Sequence, residues 1–335
     1  MTERTKTMTS EPSLAETDDD MPEEASQSLL TMPLWRIRLH LFWRSLRDNI
    51  AIFAENKIGL IGLAIILFFG LLAVLHPIML GTVWDDRTYN PVTGYDATIP
   101  FHPAPPDGRH WLGTDPFGRD ILSQLMFGTG SAFGLGVVAA LVTVVCATVV
   151  GAISAYYGGW VDIFFMRLAD MVIMTPFVTA LIVFSALFDI GMVELGFIIG
   201  ILGGFGATAV VIKSQGLSIK VRTYIEAARV AGGSNAHIIF THIIPNLLPL
   251  SFLFMMFTVT SAIFSEAVLS FFGLLNIRMS WGLMINTAST AGYLLDIQKW
   301  WLIFPASMAI TLLCAAFYLV GRALDEVINP RLRAR

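Results

Sequence analysis

Six stretches of this chain, each about twenty residues or longer, run with few or no charges, and that alone dictates a helical scaffold in a bilayer. At membrane depth no water is available to the backbone, so each N–H and C=O must be satisfied within its own segment, which a helix of ~20 residues does while spanning ~30 Å. The stretches are Ile58 to Leu80, Ser131 to Tyr157, Ile163 to Phe188, Met192 to Ile212, Leu247 to Gly273 and Trp300 to Gly321. The third carries Arg167 and Asp170 near its start and is charge-free only from Met171 onward. With 55% hydrophobic and 14% charged residues in 335, the chain is too apolar to be a soluble domain of this size.

Basic residues orient the spans. Arg36, Arg38, Arg44, Arg47 and Lys57 precede the first; Lys213, Lys220, Arg222 and Arg229 lie between the fourth and fifth; Arg322, Arg331, Arg333 and Arg335 follow the last. With six spans these groups share one side, so both termini and the fourth connection are expected in the cytoplasm. The intervening loops hold only Arg87, Arg109, Arg119, Arg278 and Lys299. The net charge of -4 averages an acidic tail with this basic membrane edge.

Residues 1–30 carry eight carboxylates, Glu3, Glu11, Glu16, Asp18, Asp19, Asp20, Glu23 and Glu24, and almost no large apolar side chain, and read as a disordered acidic tail. The start lacks a basic region followed by an apolar core, so the first span is expected to be a retained anchor. Over 31–56 the pattern changes. Trp35, Leu39, Phe42 and Leu46 line one helical stripe away from Arg36, Arg44 and Arg47, as in an amphipathic helix lying in the headgroup plane or packed on a partner subunit. Cys146 and Cys314 each fall inside an apolar span and act as small hydrophobes, with no disulfide expected. The six histidines form no metal-ligand spacing; His237 and His242 are five apart, which does not place them on one face of an α-helix.

The connection over 214–246 is an island of helix-forming, partly charged sequence between two apolar spans. Ala227 and Ala228 favour helix and leave a low surface that another chain can approach. Gly232 and Gly233 supply a left-handed helix end, Ser234 can cap a second short helix, and Pro245 is expected to stop it. Glu226-Ala227-Ala228, three residues, Gly232, nine residues, then His242-Ile243-Ile244-Pro245 resembles the coupling loop of ABC importer permeases, and most of all the dipeptide, oligopeptide and nickel branch. Ile244 stands where the broad family pattern has Leu, an apolar swap of similar volume.

A second block precedes the second span. Gly113-Thr114-Asp115, two residues, Gly118-Arg119-Asp120 resembles the signature of the second-permease type of the same family. The glycines suit tight turns, and Asp115, Arg119 and Asp120 either pair to stiffen the loop or meet a ligand. Ser131 stands where peptide permeases often have a basic residue. Further along, Gly158-Gly159 makes a short link, Arg167 and Asp170 can neutralise each other one turn apart, and Pro176 loosens the third span for motion or merely for packing. Gly196, Gly200, Gly203, Gly204 and Gly206 permit close helix approach in the fourth. Glu266, near the outer end of the fifth, is either a functional carboxylate or one that rims the interface.

Nothing in the chain forms a Gly-x-x-x-x-Gly-Lys-Ser/Thr phosphate loop, a nucleophile elbow or a zinc-binding His pair. The resemblance, in register from Lys57 to Arg335, therefore implies an all-α membrane protein of the type I ABC importer permease fold, with an interfacial amino-terminal helix and cytoplasmic coupling helices. It divides into a first span at 57–80, an external loop at 81–130, a core at 131–325 and a basic tail at 326–335. It implies no enzyme, no cofactor on this chain, ATP and magnesium on two ATP-binding partners, a second homologous permease, an extracytoplasmic binding protein and no nucleic acid. Short peptides lead as cargo in a multi-pass inner-membrane importer. Nickel or another small solute in the same family, or an ion-driven carrier, stands behind.

Overall fold

In the computed structural model, which describes Arg47 and residues 50–328, helix covers each apolar stretch. The acidic tail 1–30 lies outside the described residues, as do most of 31–56 and all of 329–335. The helices are α1 (Lys57–Thr82), α2 (Asp86–Tyr89), α3 (Ile121–Tyr157), α4 (Gly159–Met174), α5 (Phe177–Leu187), α6 (Met192–Phe205), α7 (Ala207–Lys220), α8 (Thr223–Val230), α9 (Asn235–His237), α10 (Ile244–Phe271), α11 (Trp281–Thr290) and α12 (Phe304–Ile328). A π-helical stretch, Ile238–Ile243, joins α9 to α10, and a 3-10 turn, Ile297–Leu302, leads into α12.

Four of the described helical segments are long and apolar enough to cross a membrane, and six spans result when each of two bent pairs counts as one. One bend falls at Pro176, where the sequence expects a loosened span, and the other at Gly206, where it expects only close packing. α5 leaves α4 at 86° across Thr175–Pro176, because proline lacks the N–H to continue the ladder and forces its predecessor out of the helical region: Thr175 has ψ 124°. α7 leaves α6 at 43° across Gly206, whose ψ of -139° is not helical.

At the centre is α3, which packs on α1, α6, α7 and α10. It starts at Ile121 rather than at Ser131, since Asp120 Oδ1 accepts the Ser123 N–H at 2.7 Å and caps it, and Leu125, Met126 and Phe127 extend its apolar run. Helix α6 approaches it through small residues spaced four apart. A Cβ on Gly196, Gly200 or Gly204 would come 2.8, 2.5 and 2.5 Å from Val138, Val142 and Cys146, themselves four apart, so one stripe seats on the other. On the opposite flank, Asn56 caps α1 and its Nδ2 donates to Glu326 Oε2 at 2.5 Å, tying the start of α1 to the end of α12.

Short helix α11 is docked by Trp281, which is 2% exposed, donates Nε1–H to the Leu125 carbonyl at 2.9 Å and meets the Phe69 ring edge-on. Pro245 does not end a helix: Asn235 to Phe271 is one continuous run. The wide π turn ahead of it, in which Ile244 N–H bonds to Ile239 O, gives the pyrrolidine ring its room. The helix of the final span opens at Phe304 rather than Trp300, after a 3-10 turn in which Lys299 (φ -108°, ψ 40°) is not helical.

Candidate functional site

Opposite ends of α3 carry the two loops that the sequence singles out. At its carboxyl end, α8 seats Ile225, fully buried, in an apolar cluster with Ile212, Ile219, Ile238, Ile239, Ile243 and Leu247. Glu226 and Ala227 face out on its other side, and Ala228 is half-buried. A Schellman motif ends the helix: Gly233 N–H bonds to Ala228 O at 3.0 Å, Gly232 N–H to Arg229 O at 3.1 Å, and Gly232 takes φ +85°. The two glycines serve different needs. A Cβ on Gly232 would meet open space, so only its left-handed backbone demands glycine, whereas one on Gly233 would lie 2.8 Å from Ala228 O.

Ser234 Oγ then accepts the His237 N–H at 3.3 Å and starts α9. Tyr156, in the last turn of α3, donates its hydroxyl to Asn235 Oδ1 at 2.7 Å and lies under the Arg229 guanidinium at 5.9 Å, fastening the loop to the core. Above this anchored base Val230 is 89% and Phe240 62% exposed, beside exposed Pro245. His237 and half-buried His242, which an α-helix would separate, stand with rings 5.6 Å apart. The π-helical stretch between them brings residues five apart onto one face.

At the other end of α3, the Gly113–Asp120 block is folded on itself. Gly113 and Gly118 take φ of +76° and +80°, which closes the turn and lets Thr114 pair with Asp120. Asp115 Oδ2 accepts from Arg119 Nε at 2.7 Å and from Gln124 Nε2 at 2.9 Å, while its Oδ1 accepts the N–H groups of Phe117 and Arg119. Asp120 caps α3 with one oxygen and accepts His110 Nδ1–H at 2.8 Å with the other. These carboxylates make their hydrogen bonds within the loop and to the start of α3.

His110 was not legible from spacing. Fully buried, it faces Asp120 through Nδ1 and Asp96 through Nε2 at 3.2 Å, an arrangement that two ionised carboxylates stabilise most when both ring nitrogens carry a proton. The hydrogen bond to Asp120 holds it above the usual imidazole value against the desolvation of burial, with Asp96 adding to the effect. For Asp96 burial pushes upward, but hydrogen bonds from Thr98 and His110 outweigh it and hold the carboxyl below its usual range. Asp107, capping the turn through the N–H groups of His110 and Arg109, is likewise held low.

The remaining candidates scatter. Arg167 and Asp170 pair at 3.4 Å on an exposed helix face, a contact of little weight. Glu266 is 3% exposed among the packed helices, in the last two turns of α10, and accepts the Ser270 hydroxyl at 2.5 Å. Pro176 marks the α4–α5 break. A bridge the sequence did not signal joins Lys213 of α7 to Asp162 of α4 at 2.7 Å.

Apolar helical spans around one central helix, with an exposed loop at one end and a closed loop at the other, define a multi-pass membrane protein. Residues 147–334 match the family of binding-protein-dependent transport system inner membrane components, and the chain belongs to that family. It is similar to the dipeptide transport system permease DppC of Bacillus subtilis, at 30% identity over 87% of this chain and 85% of that one. It is similar also to the oligopeptide permease OppC of the same organism, at 30% over 86% and 90%. The glutathione transport system permease GsiD of Pectobacterium atrosepticum is 33% identical over 68% and 75%. The protein is thus a multi-pass inner-membrane transport component.

Proposed function

We propose that this chain is one of two permease halves of an ATP-driven importer of short peptides, and that the α8–α9 loop seats a cytosolic ATP-binding partner. The observation that carries the reading is the loop's construction. Ile225, Ile238 and Ile243 root it in the bundle, Tyr156 ties it to α3, and Ala227, Val230 and Phe240 remain turned outward where a partner can cover them. A rigid lever that offers apolar side chains to solvent suits a surface that another chain pushes. On this reading both termini and the loop face the cytoplasm, and the Gly113–Asp120 loop faces the binding protein outside. ATP and magnesium sit on two partner chains, and a second homologous permease closes the pathway. The dipeptide, oligopeptide and glutathione transport named for the relatives supports peptides as cargo over nickel or another solute.

The test is reconstitution of the chain with its genomic neighbours in proteoliposomes. Val230→Asp with Phe240→Asp is expected to release the ATPase chains during purification and abolish ATP-driven uptake of a labelled dipeptide. Recovery of the ATPase at wild-type yield would overturn the seat, and a wild-type complex that takes up no peptide would overturn the cargo.

A further inference from the structure

The two broken spans converge. Val172, Ile173 and Thr175 at the end of α4, Phe177 at the start of α5, and Leu202, Gly203, Gly206, Ala207 and Thr208 across the α6–α7 break line one cavity, closed on a third side by α10 through Phe254, Phe257, Thr258 and Ser261. Its volume is about 370 Å3, within the range of small-molecule sites. Neither Pro176 nor Gly206 offers a side-chain cap, and while Ala209 N–H bonds back to Gly206 O at 3.1 Å, the N–H groups of Phe177, Val178, Ala207 and Thr208 are left at the breaks. In hydrocarbon such groups would each cost several kcal/mol, and irregular backbone at membrane depth is tolerated only inside protein or against water. The hydroxyls agree. Thr175 and Thr258 donate to carbonyls one turn back, Met171 and Phe254, which leaves their lone pairs free to accept, and Thr208 and Ser261 add two more. No ionisable side chain occurs in the described lining.

We propose that this double-break cavity is a wet station for cargo in the membrane, binding a peptide's main chain through the opened backbone groups and the hydroxyls of Thr175, Thr208, Thr258 and Ser261. The inference rests on the peptide-importer reading and adds where, and by what chemistry, cargo touches this subunit. Main-chain recognition without a fixed charge is blind to side-chain identity. The station therefore passes peptides of varied sequence and leaves selection to other components.

The experiment uses the complete importer in proteoliposomes, with Cys146→Ala and Cys314→Ala removing the native thiols. A Ser261→Cys thiol is expected to react with a charged, water-borne thiosulfonate, and more slowly in turnover with dipeptide-loaded binding protein. Ser261→Trp, in complexes that copurify with their partners at normal yield, is expected to cut dipeptide uptake by about tenfold or more, equivalent to roughly 1.4 kcal/mol on the passage barrier. Reaction only with an apolar maleimide would mean a dry groove filled by lipid and would overturn the proposal. So would labelling that loaded binding protein never slows. Ser261→Cys complexes that label as expected, alongside a wild-type importer that takes up no peptide, would instead sink the peptide reading and leave the wet cavity standing.

Discussion

Replacing Gly232 by Val isolates the backbone's part in the α8–α9 loop, because at this position no neighbour lies within 4 Å of an added Cβ while φ is +85°. Holding a non-glycine residue there costs about 1–3 kcal/mol, and a β-branched side chain belongs at the upper end. Stiffening of the unfolded chain returns about 0.4–1 kcal/mol, so the net penalty is about 2 kcal/mol, or roughly thirtyfold in the population of the intact motif. Only the loop pays it, since Ile225 and Ile238 remain in the cluster below. Amide exchange reads it directly. The N–H groups of residues 232 and 233, bonded to Arg229 O and Ala228 O, should exchange about thirtyfold faster, and those of α3 at the wild-type rate. Gly232→Asn, which tolerates the left-handed region, should change exchange by less than about fivefold. If Val and Asn exchange alike, or if α3 loosens together with the loop, the assignment of Gly232 to backbone strain alone is wrong.

Other substitutions probe the scaffold. Gly200→Leu drives a side chain into Val142, 2.5 Å from the first added carbon, and should lower stability in detergent by about 1–3 kcal/mol or more; Gly130→Ala, with open space beyond it, should be neutral or slightly stabilising by the same thermal assay. Trp281→Ala removes a buried indole and its bond to Leu125 O, and a loss of about 3–5 kcal/mol in thermal unfolding is expected. For the His110 cluster the two signs oppose. His110, held above its unfolded value, stabilises fully below that value and loses its contribution as pH rises through the raised one; Asp96, held low, contributes above its unfolded value and loses it as pH falls through the depressed one. Protease resistance of residues 83–120 should therefore peak at mildly acidic to neutral pH and fall on both sides. His110→Ala, which strands two buried carboxylates, should abolish the alkaline limb and cost about 3–5 kcal/mol; an unchanged alkaline limb would remove the imidazolium from the account.

Local readings survived where one short segment carries its own physics. The glycine pair after α8, the serine cap of α9 and the small-residue stripe of α6 are signals written within a few residues, and the structure places each as its chemistry requires. Readings failed where a neighbour in space changed the rule. Pro245 breaks an ordinary helix, yet behind a π turn it continues one, and that same turn brings His237 to His242. Likewise the apolar run points to a second span opening at Ser131, yet Asp120 caps its helix eleven residues earlier.

The amino-acid sequence by itself determined the solvent this chain folds in, its all-helical character, its family and the position of both signature loops, since apolar run length and turn chemistry are properties of contiguous residues. Only the tertiary structure decided that His110 lies between Asp96 and Asp120, that Lys213 reaches Asp162, and that the bends at Pro176 and Gly206 open onto one space. Those pairings join groups distant along the chain, and such contacts depend on how whole helices pack, which no local pattern encodes.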